Sequence, residues 1–224
     1  MIGIISDIHG NYPALMSVLE ELDKIGCNNI VSLGDVCGYY CMVNECIEEL
    51  RKRNIKNIMG NHDYYVVNNE KCGRSYTANL CLDYQREVIT ADNLEWLAQS
   101  VDNIILDNIW MVHGGFKDFL DEYIEDFGFL NCHSNIKIYV SGHTHVQKKV
   151  SGKFGIYVNP GSVGQPRDHL ATAGYAVIYD EEHIVLGRTE YEIDRIYDEM
   201  LKAGFPERVS SCLYYGVKIG ENER

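Results

Sequence analysis

At 224 residues the chain is long enough for one large domain with a substantial core. Apolar residues make up 46% and charged residues 24%, a balance that excludes disordered and fibrous classes. The formal net charge of −13 makes long nucleic acid a poor partner, and no apolar run approaches the roughly 20 residues that span a bilayer.

The first apolar run, residues 2–5, reads as a strand and ends in Asp7-Ile8-His9. Residues 13–25 carry Leu15, Val18, Leu19, Leu22 and Ile25 at helical spacing, with Gly26 as a stop. A second strand over 30–33 ends at Gly34-Asp35. A second helix over 42–53 places Val43, Cys46, Ile47 and Leu50 on one face, and a third strand over 55–59 ends at Gly60-Asn61-His62-Asp63. Such β-α-β alternation favours parallel pairing. Residues 77–98 read as helical, with Asp92 as N-cap of a short helix through Trp96. Short strands then follow at 104–106, 109–112, 138–140, 156–158, 175–179 and 184–189; so close together, they predict a second, mixed or antiparallel sheet. Residues 194–203 form a final helix, and 206–215 are a further helix candidate. The expected architecture is α/β: two packed mixed β-sheets flanked by helices, in a single domain over 1–224.

The chain opens directly on a strand, so no export signal is expected, and the expected setting is a reducing cytoplasm with eight free cysteines. Cys37, Cys41 and Cys46 lie close together but lack the paired spacing of a zinc site, and read as small buried residues.

Five pieces carry the chemistry: Asp7-Ile8-His9, Gly34-Asp35, Gly60-Asn61-His62-Asp63, His113-Gly114 and Gly142-His143-Thr144-His145. Each ends an apolar, β-branched run, so the fold should gather them along one sheet edge, where open α/β sheets bind ligands. Any one alone reads as a turn or a satisfied core histidine. Together they form a nitrogen and oxygen donor set suited to Mn²⁺, Fe or Zn²⁺, with Mn²⁺ favoured.

In that order the five pieces resemble the calcineurin-like metallophosphoesterase superfamily. The likeness is closer to the bacterial branch related to diadenosine tetraphosphatase, carried by Gly34-Asp35-Val36-Cys37-Gly38-Tyr39, by Asn44-Glu45-Cys46-Ile47 and by residues 159–167. The resemblance implies a four-layer α-β-β-α sandwich and two divalent metal ions. Asp7, His9 and His145 would hold one ion and Asn61, His113 and His143 the other, with Asp35 bridging through both its oxygens. It implies hydrolysis of a P–O bond by metal-activated hydroxide. His62 is placed to protonate the leaving group, and Asp63 either orients its ring or caps the following segment.

Substrate contacts are expected from Asn11, Tyr39 and Arg167, the alternatives being a turn residue for Asn11 and a surface ion pair for Arg167. Tyr40, Tyr64, Tyr65 and Tyr123 are further pocket candidates, and 159–162 is a loop serving either phosphate or a tight turn. The expected substrate is a small, nucleotide-type phosphate, with no stable nucleic-acid or membrane partner and an oligomer left open. The alternatives are a nuclease or phosphodiesterase, a protein phosphatase, or a non-catalytic scaffold. After Gly34-Asp35 the chain lacks the Asp-Arg of protein serine/threonine phosphatases, and His113-Gly114-Gly115-Phe116 departs from the His-Gly-Ser-Pro of the bacterial branch.

Overall fold

Strand β1 (Ile2–Ile5) sits at the centre of the first of two five-stranded sheets, and the chain returns to it from the far end of the sequence. In the computed structural model, which describes residues 1–221, the first half alternates β1, α1 (Tyr12–Ile25), β2 (Ile30–Ser32), α2 (Val43–Lys52) and β3 (Lys56–Asn57). β1–β2 and β2–β3 pair in parallel, as the alternation predicts. Helices α3 (Asn61–Val67), α4 (Tyr76–Val88) and α5 (Ala91–Ala98) follow.

The second sheet comprises β4 (Asn103–Leu106), β5 (Ile109–Val112), β6 (Ile138–Val140), β7 (Gln147–Ser151) and β8 (Ile156–Pro160), in the order β4-β5-β6-β8-β7. β9 (Ala173–Ile178) and β10 (Ile184–Thr189) then complete the first sheet as β10-β9-β1-β2-β3, and α6 (Ile193–Lys202) packs beside α1. Both sheets are mixed.

The two-residue period of the strands sorts the core. Ile4, Val31, Leu33 and Ile58 face Met111, Val140 and Val158 between the sheets, while Ile5 turns to α1 and meets Leu15, Val18, Leu19 and Leu22. Each such burial stabilises by roughly 1.5–3 kcal/mol. On β6, Tyr139 points away from Ile138 and Val140 into an aromatic cluster with Trp110, Phe116, Phe129 and Tyr157.

The structure departs from expectation at several element ends. The helical stretch 77–98 is two helices, broken where Ile89 is extended. Thr90, not Asp92, caps α5: its hydroxyl accepts the Asn93 N–H at 3.3 Å, and Asp92 lies in the first turn. Residues 206–215 form two 3-10 turns, Glu207–Val209 and Ser211–Tyr214. β7 carries the polar run Gln-Lys-Lys-Val-Ser, which has no apolar alternation because this edge strand is half exposed. All eight cysteines are free, and among the described residues no helix is long and apolar enough to cross a membrane.

Candidate metal centre

The five pieces meet. One ligand atom from each of Asp7, His9, Asp35 and His145 lies within 4.8 Å of the others, and the same holds for Asp35, His113 and His143. Asp35 belongs to both groups. Asn61 joins the second, its Oδ1 lying 3.1 Å from His113 Nε2.

Backbone strain sets these side chains. Asp7, His9, Asp35, His143 and His145 all have φ between 52° and 64°, a left-handed region that non-glycine residues seldom occupy. The turns are held by interlocking backbone bonds, such as Asp7 N–H to the Gly34 carbonyl at 3.0 Å and His9 N–H to the Asp35 carbonyl at 2.8 Å.

The histidines are oriented from behind. Nδ1 of His9 bonds the Cys37 carbonyl at 2.7 Å, that of His113 the Leu33 carbonyl at 2.9 Å and that of His145 the Gln165 carbonyl at 2.6 Å. A carbonyl can only accept, so Nδ1 carries the proton and Nε2 turns its lone pair inward. The carboxylates are oriented likewise. Asp7 Oδ2 accepts the His143 N–H at 3.0 Å, and Asp35 Oδ1 accepts the His62 N–H at 2.8 Å. What remains is Asp7 Oδ1, facing His145 Nε2 at 3.3 Å, and Asp35 Oδ2, 3.7 Å from His9 Nε2 and 3.5 Å from His113 Nε2. Asp35 Oδ2 thus faces both groups, while Oδ1 accepts a backbone N–H.

Burial keeps the imidazoles of His9, His62, His143 and His145 neutral. Burial, then the charge of His113, pushes His143 down to about 2; burial, then His145 and Arg167, pushes His62 down to about 3. Burial also depresses His9 and His145. Burial would raise Asp7, but the facing imidazoles of His145, His113 and His9 hold it far below the usual carboxylate range. Asp35 is raised by burial and by the charges of Asp7 and Asp63, a push that a cation beside it would reverse. Asp7 Oδ1 and His143 Nε2 are buried with no hydrogen-bond partner. Buried polar atoms without partners, one in each donor group, fit divalent cations.

The pocket beside these groups has a volume of about 100 Å³ and is lined by His62, Tyr39, Tyr123, Arg74 and Arg167 among others. A larger cavity of about 740 Å³ lies away from them, between α5 and the edges of β3 and β4. Arg167 donates to Gln165 Oε1 at 2.6 Å and to the Tyr39 hydroxyl at 3.1 Å, and among the described residues it forms no ion pair with a carboxylate. Among the described residues the surface ion pair considered for it is absent. Tyr39 packs edge-on against His9 and leans on His62, with ring centroids 4.7 and 5.0 Å apart.

Three expectations are corrected. Asn11 is fully buried and its side chain is spent, Oδ1 on the Ala14 N–H as the cap of α1 and Nδ2 on the Gly164 carbonyl, so it is not free for substrate. Asp63 does not touch the His62 ring. Its carboxylate accepts from the Cys37 N–H, the Asn57 amide and the Gly60 N–H, which is the capping use, and His62 Nδ1 has no partner. Tyr40 is core, with no exposure. The 159–162 loop braces the ligand turns: Asn159 Nδ2 holds the Gly142 carbonyl at 2.7 Å and Ser162 Oγ the Asp7 carbonyl at 2.7 Å. Sequence reasoning missed Gln85, which clamps the Gly38 N–H and the Tyr40 carbonyl, and Arg74 at the pocket wall; neither lies in a motif.

Residues 1–182 match the family described as the calcineurin-like phosphoesterase superfamily domain. An uncharacterized protein of Methanocaldococcus jannaschii is 34% identical, over 96% of this chain and 98% of its own. A metallophosphoesterase structure from Sphaerobacter thermophilus superposes with a TM-score of 0.82 at 28% identity, covering 96% of this chain and 99% of that one. A hypothetical protein of Pyrococcus horikoshii shares the fold, with a TM-score of 0.81 at 24% identity over 97% and 100% of the two chains.

Proposed function

The chain belongs to the calcineurin-like phosphoesterase superfamily and is a phosphoesterase hydrolase, and from that premise we propose that it uses two divalent metal ions to hydrolyse a P–O bond of a small, nucleotide-type phosphate ester or anhydride. The observation that carries this reading is the shared Asp35 Oδ2 between two buried donor groups. Asp7, His9 and His145 would hold one ion, Asn61, His113 and His143 the other. Bound there, the ions would supply charge for the phosphoryl oxygens and lower the pKa of a water. The nitrogen and oxygen donors suit Mn²⁺, Fe or Zn²⁺, and Mn²⁺ is the ion proposed.

The protein's own groups divide the remaining work. Arg167, a cation with no carboxylate partner among the described residues, holds a phosphate oxygen, and Tyr39 fixes its guanidinium. His62 lines the pocket with its ring 5.0 Å from that of His9 and serves the leaving oxygen as proton donor. Burial, and then its cationic neighbours, keep it neutral, so the negative charge of a bound phosphate is what would favour its protonated form. A pocket of about 100 Å³ is smaller than the roughly 300 Å³ of ordinary ligand sites, so it takes a phosphoryl group and leaves the rest of the substrate across its mouth.

Purified protein loaded with Mn²⁺ should turn over at least one member of a panel of phosphomonoesters, phosphodiesters and dinucleoside polyphosphates, and should leave long single- and double-stranded oligonucleotides intact at physiological salt. Silence across the panel at full metal occupancy would remove the reading. Efficient degradation of the polymers would replace it with a nuclease.

A further inference from the structure

Two loops meet over the mouth of the pocket. One brings Cys72, Arg74 and Ser75 to its wall, and the other brings Tyr123, whose ring lies 4.3 Å from that of His143. Arg74 of the first loop is ion-paired with Asp121 of the second, and both side chains are well exposed, at 51% and 39%. Ser75 caps the 13-residue helix α4 by accepting the Ala78 N–H, so the positive end of that helix opens on the same wall.

The acidic neighbours of Asp121 are used differently. Asp118 Oδ1 accepts the Leu120 and Asp121 N–H groups, and Glu122 Oε2 accepts those of Lys117 and Asp118. Their carboxylates hold their own loop together, whereas that of Asp121 is turned to a cation at the pocket wall. Arg167 lies over the Tyr39 ring, 5.6 Å from its centroid, while Arg74 stands beside Asp121, and both guanidinium groups line the pocket. In a chain of net charge −13, two arginines at one small mouth are a concentrated resource.

We propose that Arg74 exchanges Asp121 for a second anionic group of the substrate, so that the enzyme selects phosphates carrying another phosphate next to the scissile one. This rests on the phosphoesterase reading of the site above. An exposed ion pair contributes little and is readily traded. A phosphate offers the guanidinium fork two strong acceptors in its own plane. The pocket itself has room for one phosphoryl group, which leaves a second at the mouth, where Arg74, the α4 N-terminus and Asp121 stand. Asp121 is then a built-in occupant that a diphosphate displaces and a monophosphate does not.

The test is calorimetric titration of metal-loaded protein with orthophosphate and with pyrophosphate, in wild type, Arg74→Ala and Asp121→Asn, with metal content measured before and after. Wild type should prefer pyrophosphate. Arg74→Ala should weaken pyrophosphate about tenfold, the scale of a lost charged hydrogen bond, and leave orthophosphate within about twofold. Asp121→Asn should tighten pyrophosphate by removing its competitor. The opposite signs are decisive, since a pair that merely straps two loops together would make both variants weaken both probes alike, and that result overturns the proposal. So does pyrophosphate binding that neither variant moves. Wild type that fails to bind even orthophosphate at full metal occupancy would overturn the phosphoesterase reading first and this proposal with it.

Discussion

His9 and His145 bring their Nε2 atoms to 3.0 Å from each other, although both rings spend their Nδ1 proton on a backbone carbonyl. Two lone pairs so placed repel, and burial disfavours the extra proton that could join them. A cation between them and Asp7 Oδ1 satisfies all three atoms at once. The fold holds this arrangement with five strained residues, a cost that folds accept at functional sites.

The first prediction is a metal count of two per chain. Asp35 Oδ2 faces both donor groups, so Asp35→Asn should lower occupancy of both sites together and abolish hydrolysis. Elemental analysis of active wild-type protein is the measurement; one ion or none in an active preparation defeats the dimetal assignment.

Gly38 gives the second. Its φ is +140°, and a Cβ there would stand 2.0 Å from His9 Nδ1, where the ring bonds the Cys37 carbonyl. Gly38→Ala should therefore displace His9 and lose the ion held by Asp7, His9 and His145, while the ion held by Asn61, His113 and His143 persists. Half the wild-type metal content in a folded variant is the expected outcome, and full content would show that His9 is not a ligand.

These cases show what the sequence made legible. Apolar runs ending in Asp, Asn or His marked all seven proposed ligands, and strand limits at 109–112, 138–140 and 184–189 match, because hydrophobic period and chemistry coincide there. The role of Asp63 was not legible, since whether a carboxylate after His62 caps a helix or touches a ring depends on which amides the fold brings to it. Asn11 stayed ambiguous for the same reason. Arg74, in the turn before α4, and Gln85, within α4, reach the site only through the fold, and neither lies in a motif. β7 was invisible because its pairing with β8 is a backbone matter and its side chains are half wet.

The third prediction concerns acid. The folded-state pKa values of His62 and His143 are depressed, to about 3 and about 2, against the ordinary 6.5 of an unfolded chain. The unfolded chain therefore takes up protons first. The stability these groups contribute is full above pH 6.5 and declines as pH falls towards their folded values, by about 1.4 kcal/mol per pH unit for each group. Thermal unfolding of metal-free protein should show Tm falling from pH 6.5 to 5, with a shallower slope in His143→Asn. An unchanged slope in that variant would mean His143 is already protonated in the folded protein.

The last prediction separates His62 from the residues around it. Its backbone N–H holds Asp35 Oδ1, but its ring is not among the donor groups and its Nδ1 has no partner. Truncating the ring should leave both ions bound, since Ala keeps the N–H. A general acid matters in proportion to the leaving group's need for a proton, and its help is worth typically ~10²–10⁴-fold where that need is strong. An alkoxide needs it and a nitrophenolate hardly does. His62→Ala should thus lose most of its kcat on alkyl phosphate esters and far less on p-nitrophenyl esters. The measurement is kcat across esters of graded leaving-group pKa, with metal content determined in the same preparation. An equal loss across the series at full occupancy would make His62 a phosphate-positioning group, and loss of metal would make it a ligand.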